Sequence, residues 1–477
     1  MFPDKLREKC GVFGVFGHKD AATLTALGLH ALQHRGQEGA GIVSYDGKNF
    51  NTQLSLGLVS DHFTKTSVIN KLPGDSALGH VRYSTTGKTL LKNVQPLFAD
   101  LIGGGIALAH NGNLTNGIEL RNKLVKEGSI FQSTSDTETF LHLIALSKEK
   151  TILKKIIDAL YNIKGAYSFG LLTKKKLIAI RDPLGIRPLV LGSLGDAKII
   201  SSETCALDII GAKFEREVLN GEIVVIDHEG IKTYRPFGNI NLRPCIFEYI
   251  YFARPDSILG GKNVYECRKE MGKHLAQESS IEADIVIPVP DSGVPAALGY
   301  AEESKIPFGL GIIRNHYVGR TFIEPTQKIR KLGIKLKHNP NKELIKGKKV
   351  ILVDDSIVRG TTAIKIIEMI KEANAAEVHM RISCPPIKYP DYYGIDTPKR
   401  NELIASNLSI EKMVNKLGVN SLKFLSIKGL YNAMGHENRN NNSPQYTDHC
   451  FTGDYPTELV DRDSGNLTTQ LSLLSDN

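Results

Sequence analysis

The sequence has 477 residues, of which 41% are hydrophobic and 23% charged, and its 60 Lys and Arg residues outnumber 51 Asp and Glu residues to leave a net charge of +9. This length exceeds what one hydrophobic core ordinarily serves, so two or more domains are expected, and the composition excludes a disordered or fibrous chain. No apolar run reaches the roughly 18 residues of a membrane span and no secretory signal is evident, so we expect no membrane association and a cytoplasmic location.

The first half of the chain alternates β-rich pieces with two helical ones. Residues 22–33 and 137–147 have helical periodicity, and Ser135 with Glu138 has the spacing of a capping box before the second helix. Short runs of apolar and β-branched residues predict strands at 12–16, 40–45, 106–110, 168–172, 177–181 and 222–226. These elements predict sheets that are covered by helices.

A stretch rich in Pro, Gly and Asn at residues 234–244 marks the predicted domain boundary. Beyond it the chain alternates strands with helices. The strands are predicted at 285–289, 350–353 and 377–382, and the helices at 262–278 and 362–373. This alternation is typical of a parallel sheet.

Cysteines and lysines are scattered along the whole chain. The six cysteines form no Cys-x-x-Cys pair, so neither a disulfide framework nor a zinc ribbon is indicated, and we expect reduced thiols. The lysines form short clusters such as 174–176 and 346–349. They favour a solvated surface that attracts an anionic substrate, and we expect no nucleic-acid partner.

Cys10 opens the apolar run that continues to Phe16, and only residues 1–9 precede it. Removal of this leader would give Cys10 both a thiol nucleophile and a free α-amino group, whose pKa of about 8 suits a general base. The alternative is a small core cysteine ahead of a strand.

Other residues of the first half have side chains that suit an amide substrate. The guanidinium of Arg82 matches an α-carboxylate, although it also fits a surface ion pair. Asn111 and Gly112 offer two N–H donors for an oxyanion, although Asn-Gly is also a common hairpin turn. Asp136 suits an ammonium group, or it merely favours a helix N-terminus.

Residues 350–362 read as an apolar strand that ends in Asp354 and Asp355 and turns through Gly360 into a helix. In open α/β sheets, ligands bind at the carboxyl ends of strands, where helix N-termini present free N–H groups to phosphate. The two carboxylates suit ribose hydroxyls or Mg²⁺. The alternative is a solvated turn. Residues 288–295 form a companion loop after another apolar strand, with Ser292 as a metal or pyrophosphate contact.

Taken together, these motifs resemble two known families. One set of motifs resembles the glutaminase domain of N-terminal-nucleophile amidotransferases, namely Cys10-Gly-Val-Phe-Gly14, residues 34–41, Arg82, Asn111-Gly112 and Asp136. Residues 350–362 resemble the phosphoribosyl pyrophosphate motif of type I phosphoribosyltransferases. A chain that carries both of these motif sets resembles the glutamine phosphoribosylpyrophosphate amidotransferase family. Further strings that resemble this family lie at 181–188, 247–256 and 315–323.

The resemblance implies a fold and a domain plan. An α+β domain, a four-layer αββα sandwich of the N-terminal-nucleophile hydrolase type, would be followed by an α/β domain with a parallel sheet of the type I phosphoribosyltransferase kind. The expected segments are a leader at 1–9, a glutaminase domain at 10–235, a phosphoribosyltransferase domain at 245–450 and a C-terminal tail at 451–477.

The resemblance also implies the role of each residue. Cys10 would be the nucleophile, Asn111 and Gly112 the oxyanion hole, and Arg82 and Asp136 the glutamine contacts. Phosphoribosyl pyrophosphate would bind Asp354, Asp355, Ser356, Arg359, Gly360, Thr361, Thr362, Arg320 and Lys328, with Mg²⁺ on Ser292, Asp354 and Asp355. The implied reaction forms 5-phosphoribosylamine and opens purine biosynthesis. Purine nucleotides would inhibit it, and the implied assembly is a homotetramer.

The chain departs from its family at one group of ligands. Members with a leader usually hold a [4Fe–4S] cluster through four cysteines, whereas here Cys245 and Cys450 match and Asp391 and Thr447 replace the other two. We therefore expect no cluster, and we expect leader removal to be required for glutamine-dependent activity.

Two other kinds of protein compete with this interpretation. Other amidotransferases share the first domain but lack the motif at 354–362, and a non-catalytic nucleotide or DNA sensor would not need Cys10, Arg82, Asn111 and Asp136 together.

Overall fold

Two antiparallel sheets stack face to face in the first half of the chain. The computed structural model describes residues 7–8, 10–83, 90–315 and 338–462. The first sheet has the strand order β12-β10-β11-β2-β5-β3-β4 and the second the order β14-β13-β9-β8-β7-β6. Their bounds are β2 Gly11–Phe16, β3 Gly39–Tyr45, β4 Phe50–Leu56, β5 Ser76–Arg82, β6 Leu97–Leu101, β7 Gly104–Leu114, β8 Gly165–Thr173, β9 Leu177–Arg181, β10 Val190–Leu194, β11 Ala197–Ser201, β12 Lys213–Glu217, β13 Ile223–Asp227 and β14 Gly230–Tyr234, while β1 is Arg7–Glu8.

Helices cover the outer face of each sheet, so that the first half has four layers. They are α1 Ala21–Ala31, α2 Val59–His62, α3 Thr66–Ile69, α4 Gly117–Lys126, α5 Asp136–Leu146, α6 Ile152–Leu160 and α7 Cys205–Ile209, with a 3₁₀ turn at Leu91–Asn93. Alternate residues of β2 divide between two cores, because Val12 faces the second sheet and Phe13 faces α1. Gly28 of α1 allows the close approach, since a Cβ there would lie 2.5 Å from the Phe13 ring.

A parallel sheet forms the centre of the second half. Its strand order is β17-β20-β21-β23, with bounds Ile285–Pro288, Lys349–Asp354, Glu377–Ile382 and Ser421–Phe424. Short pairs are formed by β15 Ile258–Leu259 with β16 Lys262–Asn263, by β18 Ile312–Arg314 with β19 His338–Pro340, and by β1 with β22 Ile395–Asp396. The helices are α8 Val264–Ser279, α9 Val294–Ser304, and those at Lys342–Ile345, Thr361–Glu372, Ile404–Asn407, Ile410–Leu417, Ile427–Ala433 and His449–Thr452. A π-helical turn lies at Glu248–Phe252, and 3₁₀ turns lie at Arg400–Glu402 and Val460–Arg462.

This architecture confirms the expected fold class in both halves. The irregular segment after Tyr234 separates them, as the Pro- and Gly-rich composition predicts. Among the helices of the described residues, none has the length and apolar character that crossing a membrane requires.

Two local expectations are wrong in detail. The helix predicted at 262–278 begins at Val264, because Lys262 and Asn263 pair with β15 instead. The capping box is incomplete, since the Ser135 hydroxyl accepts from the Thr137 amide while Glu138 accepts from amides upstream of Ser135. The loop before α5 folds back over its first turn and brings those amides within reach.

Candidate active sites in the two halves of the chain

Cys10 lies immediately before β2 in a strained backbone conformation. Its φ is +95°, in the left-handed region that non-glycine residues rarely adopt. The Cys10 amide donates to the Arg35 carbonyl at 3.1 Å, and the Arg35 side chain donates back to the Cys10 carbonyl at 3.3 Å. The backbone of the predicted nucleophile is thus fixed on both sides.

The sheets bring Arg82 and Asn111 to the same end as Cys10. Because Gly11 is opposite Val81 in the β2–β5 register, Cys10 lies beside the end of β5, where Arg82 is. On β7, Asn111 continues the alternation of Ala107 and Ala109, which face the space between the two sheets.

Asn111 and Gly112 do not form a hairpin turn, so that alternative is excluded. Both lie inside β7 and pair with Ser168 and Tyr167 of β8. The Asn111 side chain is fully buried, and neither its amide nitrogen nor its oxygen has a hydrogen-bond partner among the described residues. Gly112 has φ +143°, and a Cβ there would lie 2.1 Å from the Ala166 carbonyl oxygen. The position therefore requires glycine.

One cavity of about 360 Å³ contains most of these residues. Its walls include Cys10, Arg82, Gly112 and Asp136 from the first half and Asp391, Tyr392, Leu459 and Asp461 from the second half. Asn111 is buried behind this wall. The cavity brings together the thiol, guanidinium and carboxylate that the sequence predicts to act on one substrate, and both halves of the chain close it.

Asp136 begins α5 and points across the cavity. One carboxylate oxygen accepts from the Leu114 amide at 2.9 Å and lies 3.8 Å from Nδ1 of His110. Burial lowers the pKa of His110, so this ring supplies no positive charge to the Asp136 carboxylate at physiological pH. Asp136 is suited to a cation that enters the cavity.

The second candidate site lies at the carboxyl end of β20. Asp354 and Asp355 are both buried there, and the Ser356 hydroxyl donates to Asp355 at 2.6 Å. Gly360 has φ +85° at the start of the helix Thr361–Glu372, and the free N–H groups of the first helical turn follow it. Carboxylate and hydroxyl oxygens beside a helix N-terminus would suit Mg²⁺ and an anionic sugar phosphate.

The companion loop packs tightly against this strand end. A Cβ on Gly293 would lie 2.6 Å from the Val353 carbonyl, so Ser292 and the end of β20 are neighbours. Arg359 forms an ion pair with Glu402 at 3.0 Å. Thr362 is buried, whereas Thr361 is exposed to solvent.

Both halves match known protein families. A family described as a glutamine amidotransferase domain matches residues 80–208, and a phosphoribosyl transferase domain matches residues 258–400. An amidophosphoribosyltransferase of Rhizobium etli is 58% identical over 99% of this chain and 97% of its own length, and one of Bacillus subtilis is 49% identical over 95% of each chain. The chain belongs to the amidophosphoribosyltransferase family.

A solved structure of a relative agrees with this assignment. The glutamine phosphoribosylpyrophosphate amidotransferase of Bacillus subtilis, complexed with ADP and GMP, superposes with a TM-score of 0.90 at 48% identity, over 95% of this chain and 98% of that one. The function predicted from the resemblance is therefore confirmed. The chain is an enzyme of the first step of purine biosynthesis.

The cluster ligands of the family do not fit here. A [4Fe–4S] cluster takes thiolates, and the Thr447 hydroxyl instead donates to the Arg243 carbonyl at 2.6 Å. Asp391 accepts from the amides of Tyr393 and Ile395 and contacts His449. Of the four positions, only Cys245 and Cys450 offer thiols.

Sequence analysis assigned no role to a buried ionic network that joins the two halves. Arg35 contacts Glu203 and lies 2.9 Å from Glu248, and Arg187 pairs with the same Glu248 at 3.0 Å. Arg187 also donates to the Tyr393 carbonyl at 3.0 Å, beside the cavity. Arg35, Arg187 and Glu248 lie in the family-like strings at 34–41, 181–188 and 247–256. Their ion pairs give these strings a structural role.

Sequence analysis also missed Asp461, which belongs to the segment expected as a tail. Its carboxylate accepts from the amides of Ile118 and Glu119 in the first turn of α4. Its own amide donates to the Thr115 carbonyl at 2.9 Å. No recognisable motif surrounds it in the sequence. Arg320 and Lys328, the remaining predicted pyrophosphate contacts, lie outside the described residues.

Proposed function

We propose that the cavity at Cys10 releases ammonia from glutamine. The Cys10 thiolate attacks the side-chain carbonyl carbon, and the oxyanion that forms accepts from the Asn111 side chain and the Gly112 amide. The intermediate collapses to a thioester as the amide nitrogen takes a proton and leaves as ammonia. Water then cleaves the thioester and releases glutamate. The observation that carries this proposal is that Cys10, Arg82, Gly112 and Asp136 line one cavity.

Charge explains how glutamine would be oriented in this cavity. Arg82 would bind the α-carboxylate and Asp136 the α-ammonium, so that the side-chain amide points at Cys10. Buried Nη1 of Arg82 has no partner among the described residues, which leaves a donor for the carboxylate.

We also propose that residues 1–9 are removed before Cys10 can act. An acylated nitrogen is not basic, whereas a free α-amine is a plausible proton acceptor for the thiol and donor to the leaving nitrogen. The Arg35 carbonyl, which now accepts from the Cys10 amide, would orient that amine.

The second site would bind phosphoribosyl pyrophosphate. Asp354 and Asp355 would contact the ribose hydroxyls, while residues 356–362, including Ser356, Arg359, Thr361 and Thr362, would contact the 5-phosphate. Mg²⁺, bound near Ser292 and the two aspartates, would stabilise the charge of the leaving pyrophosphate. Ammonia would attack C1 of the ribose, with pyrophosphate leaving, to form 5-phosphoribosylamine. Arg320 and Lys328 are proposed as further pyrophosphate contacts.

The proposal extends to the domain limits, the location, the inhibitors and the assembly. The two domains would span 10–235 and 245–450, although the helix His449–Thr452 crosses the second limit. A cytoplasmic location suits the six free cysteines. Because a relative has been solved with ADP and GMP, purine nucleotides are proposed as inhibitors. A homotetramer, which the family resemblance implies, is proposed as the assembly.

Separate assays of the two half-reactions test the site assignments. Cys10→Ala should abolish glutamate release but leave pyrophosphate release with added ammonia, whereas Asp355→Asn should abolish pyrophosphate release from either nitrogen source. Cys267→Ala, on α8, is the matched control and should leave both rates unchanged. Glutamate release by Cys10→Ala at the original rate would overturn the assignment of the nucleophile.

The N-terminus of the active enzyme tests the leader proposal. Intact-protein mass spectrometry should find a chain that begins at Cys10. An enzyme with full glutamine-dependent activity that begins at Met1 or Phe2 would contradict the proposal.

A further inference from the structure

Three buried side chains with different donor atoms converge behind the glutaminase cavity. Asp391, His449 and Cys450 are all buried, and their ligand atoms lie within 4.8 Å of one another. Nε2 of His449 lies 2.9 Å from Oδ2 of Asp391 and 3.4 Å from Sγ of Cys450. One ring nitrogen therefore faces two donor atoms at once.

The ion pair between Asp391 and His449 accounts for only part of this geometry. Although Oδ2 of Asp391 is 2.9 Å from the ring nitrogen, it forms no hydrogen bond with any described residue. The other oxygen, Oδ1, accepts from the Tyr393 and Ile395 amides, each at 2.7 Å. Leaving a buried carboxylate oxygen unsatisfied is unfavourable, so Oδ2 is aimed at a position that a further group would occupy.

We propose that Asp391, His449 and Cys450 bind a single Zn²⁺ ion. Zinc takes oxygen, nitrogen and sulfur ligands at about 2.0–2.3 Å, so a tetrahedral site separates its ligand atoms by about 3.3–3.7 Å. The observed 2.9 and 3.4 Å need only a small opening. A thiolate with an imidazole selects zinc over Mg²⁺, which prefers oxygen alone.

The surroundings fix the orientation of these ligands. The two amides on Oδ1 orient the carboxylate, and the His449 ring packs against Tyr393 and Tyr455, with ring centroids 5.0 and 4.8 Å away.

The ion would connect the helix His449–Thr452 to the loop that borders the glutaminase cavity. In that loop the Tyr392 carbonyl accepts from the Asn113 side chain at 2.9 Å. A Cβ on Gly394 would lie 3.2 Å from Cα of Gly112. A metal at this position would thus restrain the backbone next to the proposed oxyanion hole.

Metal analysis of the full-length protein tests the proposal. We expect one zinc per chain in the purified protein and a loss of about tenfold or more in zinc content for His449→Ala and Cys450→Ser. Cys267→Ser, which removes a buried thiol elsewhere, should retain zinc. Exchange of zinc for Co²⁺ should give the absorption of tetrahedral cobalt with a thiolate ligand, and the thiolate band should disappear in Cys450→Ser.

Three results would overturn the proposal. One is a folded wild-type protein that carries no metal and does not take up Co²⁺, which would leave a plain ion pair. Another is iron with acid-labile sulfide, which would indicate a cluster with altered ligands. The last is zinc that is retained in both ligand variants. The wild-type measurements decide the matter even where a variant does not fold.

Discussion

Truncation of Asn111 tests its proposed catalytic role, because the cost of this side chain to the stability of the fold and its benefit to the reaction can be measured separately. The side chain is fully buried with both polar atoms unpartnered among the described residues. Each such atom costs about 1–3 kcal/mol. Asn111→Ala removes both penalties and loses some packing, so the free energy of unfolding should stay unchanged or rise by up to about 2 kcal/mol.

Catalysis should change in the opposite direction. Loss of one oxyanion donor costs about 2.7–4 kcal/mol of transition-state stabilisation, so glutamate release should fall by about 100- to 1000-fold. Pyrophosphate release with added ammonia should be unaffected. The assays are glutamate release under saturating glutamine and urea unfolding followed by circular dichroism.

Asn116 offers a matched control in the same half of the chain. It is also buried, but its side chain donates to the Asn162 carbonyl at 3.0 Å and accepts from the Lys164 amide at 2.9 Å. Asn116→Ala should therefore lower the free energy of unfolding by about 1–3 kcal/mol. The reasoning is refuted if Asn111→Ala destabilises the fold as much as Asn116→Ala does while glutamate release stays at the wild-type rate.

Three further changes test other parts of the structure. Burial lowers the pKa of His80 to about 3 in the folded protein, whereas its value in the unfolded chain is 6.5. Between pH 6.5 and pH 3 only the unfolded chain binds a proton at His80, so the free energy of unfolding falls as the pH drops through this range. From pH 7 to pH 5 the loss is about 2 kcal/mol, and His80→Gln should make the urea midpoint less dependent on pH. Arg35→Met removes a buried cation that pairs with Glu203 and Glu248, so the free energy of unfolding measured with urea should fall by about 3–5 kcal/mol. A fall of less than about 1 kcal/mol would contradict a stabilising role for this ionic network. Gly360→Ala places a side chain on a residue with φ +85°, a conformation that costs about 1–2 kcal/mol for a non-glycine residue. If this turn binds the phosphate, that cost weakens binding and the KM for phosphoribosyl pyrophosphate should rise about tenfold. An unchanged KM would argue against phosphate binding at this turn.

The main strands and helices could be predicted because their periodicity is local. Strands β9 and β21 have the predicted bounds, and the helix Thr361–Glu372 differs from its prediction by one residue at each end. Partly exposed edge strands such as β4 and β12 were not predicted, because their residues carry no regular apolar alternation. Pairing with a neighbouring strand makes these segments extended, and that partner is not visible in a local window.

The candidate sites were predictable only as far as each motif extends along the chain. Cys10, Gly112 and Gly360 stand in recognisable runs, and the two glycines occur where positive φ values require them. The pairing of Asp391 with His449 joins residues 58 positions apart, and only the resemblance to the family, which places Asp391 at a cluster-ligand position, draws attention to it. Such contacts follow from packing, which the sequence does not express locally.

The sequence by itself determined the two-part plan and the positions of the proposed nucleophile and the proposed phosphate-binding turn, because each depends on residue types at short spacing. Only the tertiary structure decided that the second half closes the cavity at Cys10, through Tyr392 and Asp461, and that Arg35 and Arg187 meet at Glu248. The burial of polar atoms that have no partner among the described residues, as at Asn111, is likewise a property of the folded chain. Whether a polar atom finds a partner depends on every element packed around it, and those elements come from distant parts of the sequence.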